Sequence, residues 1–225
     1  MKLSRRALLG VGTWALAGTA APWAWAQAPA MTDADRARVE RALASVAQAR
    51  ASLRTLTGPF TQSRSIGMLA AKVRSTGTLT LVRPDRLRWE LAAPDDVVYW
   101  VTPEGLAYRS RSGSGTTRGT DTKAAPALGD LRILLGGDLS QLEARYVLTV
   151  SGEEDGPLTF DATPRLLATG TAATGTAAHL TFTLAKDRAI PVSATIVEGP
   201  RDRTEITFGA LAKNVTVDPA LVRPP

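Results

Sequence analysis

The chain has 225 residues, 44% hydrophobic and 5% aromatic, which supports one large folded domain and excludes a wholly disordered chain. It has no cysteine, which excludes disulfides, thiol catalysis and a lipid on an N-terminal cysteine. The formal net charge is +6, but residues 1–26 hold three positive charges and no negative one; the rest is mildly basic, about +3 by composition, and not polycationic.

In chain order, Lys2, Arg5 and Arg6 form a basic start, and Ala7 to Trp23 is a modestly apolar stretch. Ala24-Trp25-Ala26 fits a small-x-small cleavage site that leaves Gln27 first. Adjacent arginines in Ser4-Arg5-Arg6-Ala7-Leu8-Leu9, ahead of an apolar run weakened by Gly10, Gly12 and Gly18, read as twin-arginine export, with a general secretory signal as the alternative. Residues 1–26 are thus expected to be a cleaved signal, residues 27–225 a single domain, and the mature protein to be free in the periplasm. The apolar run is too short and interrupted for a membrane anchor.

Thr32 reads as a helix N-cap, with Asp33 and Asp35 in the first turn where the helix dipole favours negative charge. Val39, Leu43, Val46, Arg50 and Leu53 follow at helical spacing, so one amphipathic helix of about five or six turns is expected, with Gly58-Pro59 marking its end or the turn after it.

From Phe60 the period changes to two, with Phe60, Gln62, Arg64 and Ile66 on one face and Thr61, Ser63 and Ser65 on the other. Thr76 to Val82 alternates again with Leu79 and Leu81 inward, Pro84-Asp85 is a turn, and Arg86 to Leu91 is a strand. Pro94-Asp95 is the next turn, followed by a strand over Val97 to Thr102. Pro103-Glu104-Gly105 closes a hairpin into Leu106 to Arg111.

Ser112 to Ala127 reads as a mobile Gly/Ser/Thr loop; its GSGTTRG run lacks the context of a phosphate loop. Leu128 to Leu135 is a short helix closed by Gly136-Gly137, and Asp138 caps a further turn through Leu142. Strands Tyr146 to Val150 and Leu158 to Phe160 pair, as do Leu180 to Leu184 and Pro191 to Val197, with Thr204 to Phe208 last. The tract Ala168 to Ala178 is a small-residue strand or an irregular edge. The architecture is mainly β in the α+β class: a long antiparallel sheet with too little helix to cover a flat one, so the sheet closes or its concave face is a cavity.

Groups for catalysis are sparse. The single histidine, His179, heads a strand with no second ligand for a metal and no triad spacing. Glu153-Glu154-Asp155 sit in a hairpin turn, where solvated charge is expected. Arg64, Arg74, Arg109 and Arg111 read as surface charge, and no nucleic-acid motif interleaves them with aromatics. No catalytic residue, metal site, cofactor or nucleic-acid partner is expected, and a binding or carrier protein is favoured over an enzyme.

Phe60-Thr61-Gln62 after the first helix, Gly77-x-Leu79-x-Leu81, then Arg83-Pro84-x-Arg86-x-Arg88-Trp89, Pro94 and a hairpin around Gly105 together resemble the periplasmic lipoprotein carrier family typified by LolA, over nearly the whole mature chain in element order. The resemblance implies an incomplete barrel of curled antiparallel sheet with a helical lid over an apolar cavity for acyl chains. It implies a monomer that shuttles acylated lipoprotein from an inner-membrane transporter to an outer-membrane acceptor. It makes Arg83 the candidate latch of the lid, through charge-assisted bonds to backbone carbonyls; the alternative is that Arg83 only caps a strand end. Phe60, Leu79, Leu81, Leu87, Trp89, Leu91 and Trp100 are the candidate cavity wall, with Leu87 and Trp89 expected on opposite walls unless a bulge intervenes. Arg86 and Arg88 are expected to be solvated and paired with Glu90 or its neighbours. The run LAYRSRSGSG, with only Tyr108 for an aromatic-rich strand, departs from the family and points to a divergent paralogue. Its cargo could then be another amphiphile, a glycolipid or a polyene lipid, or its role that of a lipid-sensing regulator.

Overall fold

The computed structural model of the protein describes residues 31–67, 71–117, 124–153, 155–166 and 177–225. The expected signal, residues 1–26, and most of the tract 168–178 lie outside the described residues.

Helix α1 (Asp33–Ala49) starts as its sequence dictates. Thr32 accepts from the Asp35 backbone N–H while the Asp35 carboxylate accepts from the Thr32 backbone, a reciprocal capping box. Val39, Ala42 and Val46 are its buried stripe. The helix is shorter than its apolar spacing suggested: Arg50 is the C-cap and Leu53 is buried beyond the end. Gly58-Pro59 does not end it either.

Those two residues lie inside β1 (Thr55–Ile66), which pairs with β2 (Ala71–Val82) along its length. On its other side β1 pairs with β11 (Arg203–Phe208) from Phe60 onward and with β12 (Ala212–Lys213) at Leu56 and Thr57. Pro59 falls at the switch between these partners, where no ladder N–H is needed. At Gly58 an added Cβ would stand 2.6 Å from the Ala210 carbonyl oxygen. A turn signal in sequence is here a place where another segment crosses closely.

The next strands follow their turns: β3 (Arg86–Leu91), β4 (Val97–Thr102) and β5 (Gly105–Ser110). The expected loop over 112–127 is corrected: Gly113–Thr117 is an edge strand, β6, paired with β5, and helix α2 already begins at Ala124 and runs to Gly136. Small polar residues suit an edge position where only main-chain pairing is required. A 3-10 turn (Leu139–Leu142) capped by Asp138 follows, then β7 (Tyr146–Ser151), β8 (Leu158–Pro164), β9 (His179–Leu184) and β10 (Pro191–Val197).

All these strands make one antiparallel sheet in the order β6-β5-β4-β3-β2-β1-β11-β10-β9-β8-β7, with β12 beside β1. The sheet is curled and not closed. Strands β6 and β7 are neighbours in sequence and stand at opposite edges, so the chain between them has to cross a face of the sheet. Helix α2 and the 3-10 turn make that crossing, which is why they cover the concave side.

The register sets the two faces. Leu56, Leu81, Leu87, Val101 and Leu106 face one another across consecutive strands. Phe160, Phe182, Ala194 and Ile206 do so in the other half. These rows, with Leu128, Leu131 and Leu134 of α2, form one core. The opposite face carries Thr76, Thr78, Thr181, Thr183 and charged residues, as expected of a sheet that wets one side.

Candidate functional site: the concave face and its helical cover

Six of the seven expected wall residues share the concave face. Phe60, Leu79, Leu81, Leu87, Trp89 and Leu91 are all at most 8% exposed and belong to the core. The expectation of opposite walls for Leu87 and Trp89 is corrected: residues two apart in a strand point the same way, and β3 alternates regularly with Leu87, Trp89 and Leu91 buried. Trp89 stacks on Phe60 with ring centroids 3.7 Å apart and meets Phe208 edge-on at 6.4 Å. Gly77 makes the space: a Cβ there would stand 2.5 Å from the Phe60 ring.

Trp100 is the exception. It faces Arg88 and Ala107 across the ladder, on the convex side. Its indole N–H donates to the Leu221 carbonyl at 3.0 Å, Val222 is buried, and the Arg109 guanidinium lies 5.3 Å from the ring centroid. It anchors the C-terminal segment and is not part of the concave wall. Arg88 pairs with Glu90 at 2.5 Å as the sequence suggested, but its side chain is only 13% exposed, which corrects the expectation that it is solvated.

Two arginines hold the helical cover. Arg83, where β2 turns into β3, donates through Nη1 to the carbonyl oxygens of Arg50 and Leu53, at and just past the end of α1. Arg50 in turn is 1% exposed, and its guanidinium donates to Leu134 at 2.6 Å and to Gly137 and Ala189 at 3.3 Å. The first two are carbonyls at the end of α2, so each arginine serves the C-terminal carbonyls of one helix. Burial, reinforced by the Arg83 charge, lowers the Arg50 pKa to about 10, so it remains a cation at neutral pH. Sequence reading put Arg50 in the apolar stripe of α1 without giving it a role; a charged residue in a buried register was the available signal.

A second polar tie lies under α2. Asp130, 1% exposed, pairs with Arg145 and accepts from the Tyr146 hydroxyl at 2.7 Å, while the Ala177 N–H donates to the same hydroxyl at 2.9 Å. Desolvation raises the Asp130 pKa despite Arg145 beside it, and raises that of Tyr146 as well. At Gly136, the last residue of α2, a Cβ would stand 2.1 Å from Leu81 Cδ2, so the helix end sits directly on the sheet.

Among the described residues the concave face is filled at its base and opens in two places: beside α1, where Ala42, Val150 and Leu158 line a 450 Å³ pocket, and at the end near Gln62 and Arg64. There a 220 Å³ pocket lies between α2 and the sheet, with Trp89, Leu128, Leu131, Ile196 and Ile206 in its walls. A 430 Å³ pocket adjoins it, reaching Ile66, Val73 and Tyr108, and the two share Gln62, Arg64, Leu91 and Tyr99. A larger groove of 660 Å³, lined by Pro59, Phe60, Leu91 and Phe208 together with Thr61, Thr76, Thr78 and Thr207, opens to solvent near the turn at 92–96, with no helix residue in its lining among the described residues. Among the described residues only the 220 Å³ pocket is lined by α2, and Trp89, Leu91, Leu128, Leu131, Ile196 and Ile206 in its wall belong to the core.

His179 lies on the convex side, 3.3 Å from Asp161, which also accepts from Thr181 at 2.7 Å. Among the described residues no cluster of three or more His, Cys, Asp or Glu could hold a metal ion, and no helix is long and apolar enough to cross a membrane.

Residues 51–223 match the family model described as outer membrane lipoprotein carrier protein LolA. No curated protein matches the sequence. Among solved structures, a DUF1329 family protein from Desulfovibrio piger is 12% identical, covering 82% of this chain and 97% of that one with a TM-score of 0.48. The MucA/MucB complex of Pseudomonas aeruginosa gives 14% identity over 84% of this chain and 61% of the matched chain, TM-score 0.47. A LolA superfamily protein from Nitrosomonas europaea gives 6% identity over 82% and 96%, TM-score 0.44.

Proposed function

The chain belongs to the LolA family of outer membrane lipoprotein carrier proteins, and on that premise we propose that it is a periplasmic carrier. It takes the acyl chains of lipoproteins onto its concave face and moves them, as a monomer, from an inner-membrane transporter to an outer-membrane acceptor. The observation that carries this reading is the cover: apolar α2 lies across the apolar concave face, tied by Arg50 and the Asp130 network at places that can part without breaking the sheet.

The energetics fit a carrier without a fuel of its own. Each buried methylene is worth about 0.8 kcal/mol, so a long acyl chain carries on the order of 10 kcal/mol of burial free energy. In the empty protein the side chains of α2 occupy that surface. Closure of α2 then competes with cargo and keeps affinity moderate, which allows release to an acceptor. Arg83 acts as the latch by holding the end of α1, whose Arg50 side chain holds α2.

The test is extraction. Purified protein incubated with inner-membrane vesicles that carry acylated lipoproteins is expected to yield a soluble complex of protein and cargo. If no complex forms, and native mass spectrometry of protein from the periplasm finds no bound lipid or lipoprotein, the carrier reading fails. Arg83→Leu is expected to take up cargo but to change its transfer rate; unchanged kinetics would remove Arg83 from the latch.

A further inference from the structure

The concave face changes character along its strands. On β1 the inward residues run from Leu56 and Phe60, at most 2% exposed, to Gln62 and Arg64. In β10 they run from Ala194 and Ile196 to Glu198 just beyond its end, and in β2 from Leu81 and Leu79 to Ser75. The polar ends of these strands meet at the same place, the mouth of the 220 Å³ pocket under α2 and of the pocket adjoining it. Such a wall, dry at depth and charged at the rim, matches an amphiphile better than a bare hydrocarbon.

The rim charges are poorly matched to one another. Arg64 Nη2 and Glu198 Oε2 are 3.7 Å apart, with side chains 50% and 27% exposed. Among the described residues, neither side chain makes a hydrogen bond within 3.5 Å. A pair so placed contributes little to stability, and most of the five donors of the guanidinium stay available. Both residues line the 220 Å³ pocket. Asp95, held by the Ser75 hydroxyl, lines the adjoining one together with Arg64. The rim thus presents one guanidinium and two carboxylates over an apolar floor, so a plain anion would meet more like charge than opposite charge.

We infer that the mouth reads the polar end of the cargo and is built for a zwitterionic head group on acyl chains, with Arg64 facing its acidic part and Glu198 and Asp95 its ammonium. The inference rests on the carrier reading and adds the class of head group. An ammonium beside an acyl chain has two sources, a phospholipid or an acylated peptide with a free amino terminus.

The experiment measures binding of water-soluble short-chain lipids to the purified protein, by tryptophan fluorescence with Trp89 as the reporter in the pocket wall. Phosphatidylethanolamine, phosphatidylglycerol and diacylglycerol of equal chain length are compared, with a diacylated lipopeptide whose amino terminus is free. The ethanolamine lipid is expected to bind about tenfold more tightly than the other two lipids, a difference of about 1.4 kcal/mol. Glu198→Gln is expected to erase that preference, and Arg64→Gln to weaken both phospholipids while leaving diacylglycerol unchanged, with all variants unfolding at the wild-type midpoint. Lipopeptide binding that depends on Glu198 assigns the ammonium to acylated protein; preference for the ethanolamine lipid alone assigns it to membrane phospholipid, and either supports the inference. Equal binding of the three lipids, or a preference that survives Glu198→Gln, overturns it and leaves the carrier intact. If none of the lipids and not even the lipopeptide binds, the carrier reading falls with it.

Discussion

Helices α1 and α2 both lie against the concave face, yet they are built differently. Helix α1 is one-sided: its start is fixed by the Thr32 capping box, Val39, Ala42 and Val46 form a narrow buried stripe, and most of its other residues are exposed. Helix α2 is apolar over much of its surface, with Leu128, Leu131, Ile133, Leu134 and Leu135 buried. It draws its position from other segments: Arg50 at its end and Arg145 with Tyr146 beneath Asp130. The start of α1 is fixed by its own cap, with only its end served by a remote arginine, whereas α2 is tied by remote side chains both along its length and at its end and can be released by moving them. On the proposed carrier reading, the contrast makes α2 the helix expected to move.

The sharpest way to break that contrast is Arg50→Met, which keeps the stem and removes the guanidinium. It leaves the carbonyls of Leu134, Gly137 and Ala189 without this donor, at a cost of about 3 kcal/mol or more, read by urea unfolding. Amide exchange is expected to rise in residues 131–137 and to stay low in residues 36–46. Equal loosening of both helices would show that α2 is not a separate unit. Gly136→Ala comes next: a Cβ 2.1 Å from Leu81 Cδ2 forces the end of α2 off the sheet for about 1–3 kcal/mol, and faster uptake of an acyl probe is the expected readout. Unchanged uptake and stability would mean that this contact does not hold the lid.

Thr32→Ala is the control on the other helix. It removes the cap of α1 for about 1 kcal/mol and is expected to speed exchange in the first turn of α1 alone; a matching change in α2 would argue that the helices move together.

The smallest expected effect is a pH dependence. Burial raises the Asp130 pKa above its ordinary 3.8, so the native state binds more protons than the unfolded one above that value. The stability this contributes is fully present below about pH 3.8 and declines as pH rises through the raised pKa. Relative to Asp130→Asn, the wild type is therefore expected to lose stability as pH rises from about 4 toward neutrality, in a series of thermal unfolding curves. A gap that widens with pH would reverse the sign and make the Arg145 pairing dominant over desolvation.

Much of the sheet was legible because its signals are local. The alternation of Arg86 to Leu91 and the Pro103-Glu104-Gly105 turn gave β3 and β4 with their observed bounds and placed β5 one residue too late at each end. What failed did so where a long-range partner overrides a local preference. Gly58 and Pro59, turn formers by themselves, lie in β1 because the chain at 209–211 crosses there. The Gly113–Thr117 run, read as a loop, is a strand because β5 offers it an edge. Trp100 looked like cavity wall by type, but its position in β4 turns it to the convex side.

The sequence by itself determined the α1 cap, most of the strands along the chain and the apolar rows of the concave face, because capping and period-two alternation act over a few residues. The tertiary structure alone decided which helix covers that face and what holds it. Arg50 meets Leu134 across a separation of 84 residues, and Arg83 meets Arg50 across 33. Those contacts exist because the chain between β6 and β7 has to cross the sheet, and a crossing is set by the strand order of the whole sheet, not by any stretch within it.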